Sequence, residues 1–344
     1  MINLEKRNKL DVETIVIDGF WGCGKSLMFN LIPAFKNLIK TKFIPEYENI
    51  HILRNQNLIN KETAKWYICN LLDNAIYKSA IGRETNLRWS DDSGLKNSTN
   101  IFKEFKLLFS EEGDQVIYDL EANKIGQSIW THNLSLCSHS LKELISSNIF
   151  MIELIRNPIF VFKHYENFLK RYDSPREFTP SFYFNNTRLP WFTYEYKENL
   201  ENRNISELAI ICIINSYKKY FDQRENYLKI PNFQEICLEE LIFFTEKTIL
   251  KIESFIGRKH NNLVLKKIQK KINLPRKNII NGVKSGTERL NNDPKKNIIF
   301  NNDQKYCEYI LEDINKKISK DLIVEFKNIY LKYQSLFPFF NYNW

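Results

Sequence analysis

The chain has 344 residues, 43% hydrophobic and 14% aromatic, enough to bury a large core in one domain or two. Its 50 Lys and Arg against 41 Asp and Glu leave a net charge of +9, which suits anionic ligands such as nucleotides or acidic glycans. No nucleic-acid-binding motif, no apolar run of membrane-spanning length and no apolar leader region accompany that charge.

The six cysteines, Cys23, Cys69, Cys137, Cys212, Cys237 and Cys307, are scattered, with no C-x-x-C pair and no metal-ligand spacing. Reduced thiols in a cytoplasmic protein are expected, and no metal site.

Residues 13–35 come first in the chain and carry the strongest signal. Ile15-Val16-Ile17 reads as a buried strand, a glycine-rich turn follows, and Lys25-Ser26 opens an apolar-periodic helix. Gly19, four residues, then Gly24-Lys25-Ser26 fits the P-loop (Walker A) pattern. Such a loop turns backbone N–H groups inward around a phosphate, and the helix N-terminus adds partial positive charge. Gly19, Gly22, Cys23, Gly24, Ser26 and Leu27 would line the phosphate. Lys25 would reach a terminal phosphate or sulfate oxygen, and Ser26 a metal ion or the same oxygens.

Residues 41–52 read as a second strand carrying Glu46, Glu48 and His51. Residues 60–80 have the apolar spacing of a helix. The loop 82–94 gathers Arg83, Arg88, Asp91 and Asp92 around Trp89 and offers candidate substrate contacts. Residues 101–109 suggest a short helix, 115–118 a strand ending at Asp119, and 128–147 mostly helix. Residues 149–155 are a strongly apolar strand leading into Arg156-Asn157-Pro158, with a helix over 160–171.

Strands separated by helices predict an α/β fold, a three-layer sandwich with a parallel sheet flanked by helices. Ligands then sit beyond the C-terminal strand ends, where Gly19, Asp119 and Arg156 would share one crevice. Residues 172–200 are aromatic and interrupted by proline, either a lid or substrate wall or a surface excursion packed on the core. A long helix over 205–227, a strand over 234–237 and a helix through 255 follow. Residues 258–284 are dense in Lys and Arg. Two amphipathic helices over 304–337 would pack back onto the domain. The expected division is an α/β domain over 1–290 and a helical extension over 291–344.

The segment from Ile152 to Pro158, running into Phe160-Val161-Phe162-Lys163-His164-Tyr165, resembles the strand–turn–helix of sulfotransferases that use 3′-phosphoadenosine 5′-phosphosulfate (PAPS). In that family the arginine of R-[ND]-P and a serine further along the helix bind the 3′-phosphate. Arg156 matches the arginine, and His164 stands in place of the serine. Ile236-Cys237-Leu238-Glu239-Glu240-Leu241, continuing to Phe255-Ile256-Gly257, looks like the family's Y-E-D-L segment and its following helix. Arg276-Lys277 is similar to the basic loop that closes over the 3′-phosphate. The glycine-rich turn departs from the family's P-[KR]-S-G-T-[TS], with the cation moved three positions to Lys25.

The resemblance implies PAPS as donor and sulfuryl transfer to a hydroxyl or amine; the basic surface and the aromatic segment Phe182 to Tyr196 would suit a carbohydrate or another acidic biomolecule as acceptor. Lys25 would stabilise the leaving phosphate, and Glu46, Glu48 or His51 would take the acceptor's proton, with Asp91 and Asp92 as rivals. Lys25-Ser26 equally suits an ATP- and Mg²⁺-dependent kinase, with Asp119 and Glu121 near the metal and Arg171 and Arg176 in a lid. A third reading is a nucleotide-binding protein without catalysis.

Overall fold

The computed structural model describes residues 10, 12–40, 43–88, 94, 101–175, 177, 179–279 and 302–339. A five-stranded parallel sheet forms its centre. The strands are β1 (Thr14–Gly19), β2 (Leu38–Lys40), β3 (Gly126–Trp130), β4 (Ile149–Ile155) and β7 (Phe233–Cys237), in the order β2-β3-β1-β4-β7. Strands β5 (Ser181–Phe184) and β6 (Thr187–Pro190) form a separate antiparallel hairpin. Its turn, Asn185-Asn186, has positive φ at both positions, the backbone that a tight hairpin requires.

Strand register sorts side chains onto two faces. Val16, Met151 and Asp18 share one face with Glu153 and Glu235. Helix α3 (Lys61–Ala80) lies on that side, where the Gln127 amide donates to the Leu72 carbonyl. So does α8 (Ile205–Leu228), where Tyr227 donates to the Ser135 carbonyl. Phe150 and Trp130 point the other way, against Phe255 of α10 (Thr245–Ile256) and Phe29 of α1 (Lys25–Leu31). The three-layer arrangement expected from the sequence is therefore present.

Local chemistry explains the helix starts. Asn60 accepts the Thr63 N–H ahead of α3, and Asn204 and Glu207 form a reciprocal capping box ahead of α8. Pro158 opens α7 (Pro158–Leu169), with the Asn157 side chain accepting the Ile159 N–H. Two C-terminal helices, Asp303–Lys317 and Lys320–Leu336, pack on α7 and α8 and bury Cys307, Ile310, Ile314, Phe326 and Tyr330 in the common core. Lys163 of α7 pairs with Asp313, and Lys317 reaches Asp313 at 2.8 Å and Glu166 at 3.3 Å.

Three expectations need correction. Of the stretch 41–52, residues 41 and 42 lie outside the described residues, and 43–52 form no strand. Pro45 starts helix α2 (Pro45–Asn55), and Glu46 and Glu48 occupy its first turn, where the helix dipole favours carboxylates. Residues 115–118 lie in helix α5 (Asp114–Ala122), so Asp119 ends no strand; it is exposed and accepts from the Gln115 amide. The third strand is instead Gly126–Trp130, inside a stretch expected to be mostly helical beyond residue 128. Its polar Gln127 is buried because the amide donates to Thr14 and to Leu72.

Candidate functional site

The glycine-rich turn joins β1 to α1 at the C-terminal edge of the sheet. Two of its glycines are sterically required. A Cβ on Gly19 (φ +148°) would run into the Leu154 carbonyl oxygen of β4. A Cβ on Gly22 (φ +83°) would stand 2.7 Å from the His164 ring. The side chain of Lys25 folds back into the turn. Its ammonium donates to the carbonyls of Gly19 at 2.5 Å and Phe20 at 2.7 Å, and it is 5% exposed. Burial lowers its pKa, and the Asp18 carboxylate opposes that shift.

Ser26 is exposed at the start of α1, and Leu27 is half-buried against the core. Cys23 is fully buried, and burial pushes its thiol up to about 12, so it stays protonated at neutral pH. Trp21 packs against Tyr165 at 5.1 Å and Phe192 at 5.0 Å, fastening the turn to α7 and to the segment after β6.

Arg156, at the end of β4, reaches the same turn. Its Nη1 donates to the Gly22 carbonyl at 2.8 Å and lies 3.5 Å from His164 Nε2. Its guanidinium stands 5.7 Å from the Phe160 ring, and its buried Nε has no hydrogen-bond partner among the described residues. Burial lowers the His164 imidazole to about 3, with Arg156 and Lys25 acting in the same direction, so the ring is neutral. Arg276 is buried and donates to the carbonyls of Asn273 and Ile272; burial and the nearby Arg156 charge both lower its pKa. Among the described residues, neither arginine forms an ion pair with a carboxylate. Lys277 is exposed beside Arg276.

Of the candidate bases, Glu48 is 4% exposed and accepts the His132 backbone N–H at 3.0 Å, just past β3. It interacts electrostatically with both Lys25 and Asp18. Glu46 is exposed on α2. His51 is fully buried, bonded to the Ser140 hydroxyl at 2.9 Å and lowered to about 3 by burial. It belongs to the packing between α2 and α6 (Ser138–Leu144).

Arg83 and Arg88 are not brought to this turn. They follow α3, whose C-terminal part packs through Ile76 on Val12 and Leu120, at the opposite edge of the sheet. Glu121 lies exposed on α5, whose Leu120 packs at that same edge. Arg171 is exposed after α7. Asp91, Asp92 and Arg176 lie outside the described residues.

The sequence reading passed over Asp18 and Glu153, both fully buried beneath the turn. Asp18 accepts from the Thr131 hydroxyl at 2.9 Å and the Ser135 N–H at 3.1 Å. Glu153 accepts from the Ser135 hydroxyl at 2.9 Å. The available signal was a lone carboxyl inside the apolar strand Ile149–Ile155. Among the described residues, no group of three or more His, Cys, Asp or Glu could hold a metal ion.

No protein-family model matches the chain, and no curated protein does. Among solved structures it is similar to a sulfotransferase from Mycobacterium avium (11% identity, TM-score 0.43, covering 96% of this chain and 78% of that one). It is also similar to the sulfotransferase domain of the Synechococcus olefin synthase (14%, 0.41, 97% and 98%). The sulfotransferase domain from the curacin biosynthetic pathway is a further neighbour (12%, 0.39, 75% and 77%). These likenesses are too distant to assign a role to any residue.

Proposed function

We propose that the chain is a sulfotransferase-like transferase that moves a sulfuryl group from PAPS to a hydroxyl or amine of an acceptor. The observation that carries this reading is Arg156. Its guanidinium is hydrogen-bonded to the glycine-rich turn, and among the described residues its buried Nε is unpartnered and the nearby Arg276 has no counter-charge. Buried cationic groups without anions are costly, and a bound phosphate relieves them. Lys25 provides a second cationic position in the turn itself. Two such positions suit a donor with a 3′-phosphate and a 5′-phosphosulfate.

In this reading Arg156 and Arg276 hold the 3′-phosphate, with His164 packed beside them. The turn from Gly19 to Ser26 and Lys25 hold the 5′ end. PAPS supplies an activated sulfuryl group; the protein orients it and stabilises charge on the leaving phosphate. Glu48, next to Lys25, takes the acceptor's proton. The acceptor approaches through a shallow cleft lined by Asn55, Gln56, Leu136, Trp191, Tyr194 and Lys219, which adjoins the turn through the Phe192–Trp21 contact. The exposed Tyr194 ring beside the Asn55 and Gln56 amides is the acceptor contact this reading names. Six unpaired cysteines, five of them buried, are in keeping with a cytoplasmic setting.

A second reading, an ATP- and Mg²⁺-dependent transferase, draws on the exposed Ser26 beside Lys25 and on Asp18 and Glu48 close to it. Titration with 3′-phosphoadenosine 5′-phosphate and, separately, ATP with Mg²⁺ separates the two. Arg156→Ala should weaken the 3′-phosphorylated nucleotide by roughly 10- to 100-fold, as expected for lost hydrogen bonds to a charged group. ATP binding that needs Mg²⁺ and Lys25 but ignores Arg156→Ala would overturn the first reading in favour of the second.

A further inference from the structure

Three carboxyl side chains stand in a row across the sheet. Asp18 of β1 is in register with Glu153 of β4, and Glu153 with Glu235 of β7. Neighbouring strands lie about 4.8 Å apart, so these groups share one face at close range. Like charges directly opposite each other repel, and here burial adds the loss of water.

The two outer members are compensated. Arg224 of α8 donates to both oxygens of Glu235, at 2.7 and 2.8 Å, and the Tyr220 hydroxyl donates at 2.6 Å. Asp18 accepts a hydroxyl and a backbone N–H and has Lys25 as its cation. Among the described residues, Glu153, between them, accepts only the Ser135 hydroxyl on Oε1, and its buried Oε2 has no partner. A carboxylate with an empty oxygen between two carboxylates is the least favourable charge in the row. A protonated Oε2 that donates to Asp18 resolves the repulsion and the missing bond together.

We propose that Glu153 is held un-ionised and donates its O–H to Asp18, making Asp18 the fixed anion that keeps Lys25 protonated for the donor. Asp18 and Glu153 are then positioning residues, acting through Lys25. The role of Lys25 rests on the proposed function; the location of the proton does not.

The direction of the pKa shifts agrees. Burial, then the Asp18 charge and its hydrogen bond, raise Glu153 well above the usual carboxylate range. Burial also raises Asp18, but Lys25 and the bonds from Thr131 and Glu153 pull it down. The other titratable groups facing the pair are Cys23 from the turn, Tyr47 and Glu48 from α2, Cys137 ahead of α6, and Tyr220 and Tyr227 from α8. Burial drives the thiols of Cys23 and Cys137 and the phenols of Tyr47, Tyr220 and Tyr227 upward, so all five stay neutral around pH 7.

Two measurements on the full chain test this. Infrared spectroscopy at neutral pH should show the carbonyl stretch of an un-ionised buried carboxylic acid, absent in Glu153→Gln. A wild-type spectrum without that band, or a band that survives in Glu153→Gln, overturns the proton assignment whatever the donor is. Binding of 3′-phosphoadenosine 5′-phosphate, with inorganic pyrophosphate as a second probe, is then followed against pH. Glu153→Gln should bind within about 3-fold of wild type at every pH, because its amide also donates to Asp18. Asp18→Asn should weaken binding about tenfold or more as pH rises, the equivalent of at least one pKa unit on Lys25. Equal losses in the two variants at all pH values, or wild-type protein that binds neither probe, would overturn the role given to Asp18. Circular dichroism of each variant checks that a loss is not a failure to fold.

Discussion

The buried histidines and the Glu153 proton make opposite demands on stability as pH falls, and the balance can be counted. His51 and His164 have folded-state values near 3 against 6.5 for an exposed imidazole. Their unfolded forms therefore take up protons that the native forms refuse. Stability is complete well above pH 6.5 and is lost as pH falls from there towards 3. Between pH 6.5 and 5 each histidine costs about 1.5 to 2 kcal/mol, from 1.36 kcal/mol per pH unit and half-protonation at the start. The pair costs roughly 3 to 4 kcal/mol.

Glu153 acts in reverse. Its folded-state value is raised, so the native chain keeps a proton that the unfolded chain has released. Its contribution is fully present below the usual carboxylate value of 4.5 and is lost as pH rises through the folded value. Acidification over the same window therefore returns stability and offsets part of the histidine loss. Wild-type protein should thus lose less than the roughly 3 to 4 kcal/mol of the two histidines from pH 6.5 to 5. His51→Gln should lose about 1.5 to 2 kcal/mol less than wild type over that window, and Glu153→Gln should lose more than wild type. Urea denaturation at several pH values reads these slopes. A His51→Gln slope equal to wild type would refute the burial argument for that ring, and an unchanged Glu153→Gln slope would refute the buried proton.

Gly22→Ala adds a Cβ at φ +83° and 2.7 Å from the His164 ring. Left-handed backbone and overpacking together predict a loss of roughly 2 to 4 kcal/mol, read as a lower urea midpoint, with weaker nucleotide binding. Arg224→Met leaves the 6% exposed Glu235 without its cation, and a loss of about 3 kcal/mol is expected in the same assay. The double variant Arg224→Met/Glu235→Gln should recover much of it, because no unpaired carboxylate remains. Tyr194→Ala, in the cleft beside the turn, should raise the acceptor KM without changing binding of 3′-phosphoadenosine 5′-phosphate.

The parts legible in the sequence are those where one local signal dominates. The run Ile15-Val16-Ile17, the glycines after it and the apolar strand leading to Arg156 all read correctly, because burial on both faces of a parallel sheet leaves an apolar stretch. The second and third strands did not. Leu38–Lys40 has three residues, and Gly126–Trp130 carries a glutamine and a serine whose burial depends on partners far along the chain. Gln115-Val116-Ile117-Tyr118 has strand-like composition, yet it lies in α5, with Val116 packed near Val12 and Ile76. Motifs pointed to the loop and to Arg156, which the fold brings into contact through Gly22. The carboxyl row could not, since Asp18, Glu153 and Glu235 become neighbours only through strand register.

If the turn holds the donor as proposed, the folded-back lysine also bears on what kind of anion it would accept. Its ammonium already holds two carbonyl oxygens of its own loop. A halide or a single weak acceptor offers no more than those carbonyls do, so it has little reason to displace them. A group with several oxygens on one atom, met at the same time by the N–H groups at the start of α1, makes the exchange favourable. In the proposed reading the two carbonyls compete with the ligand for Lys25, so selection would follow the number of oxygens presented rather than charge alone.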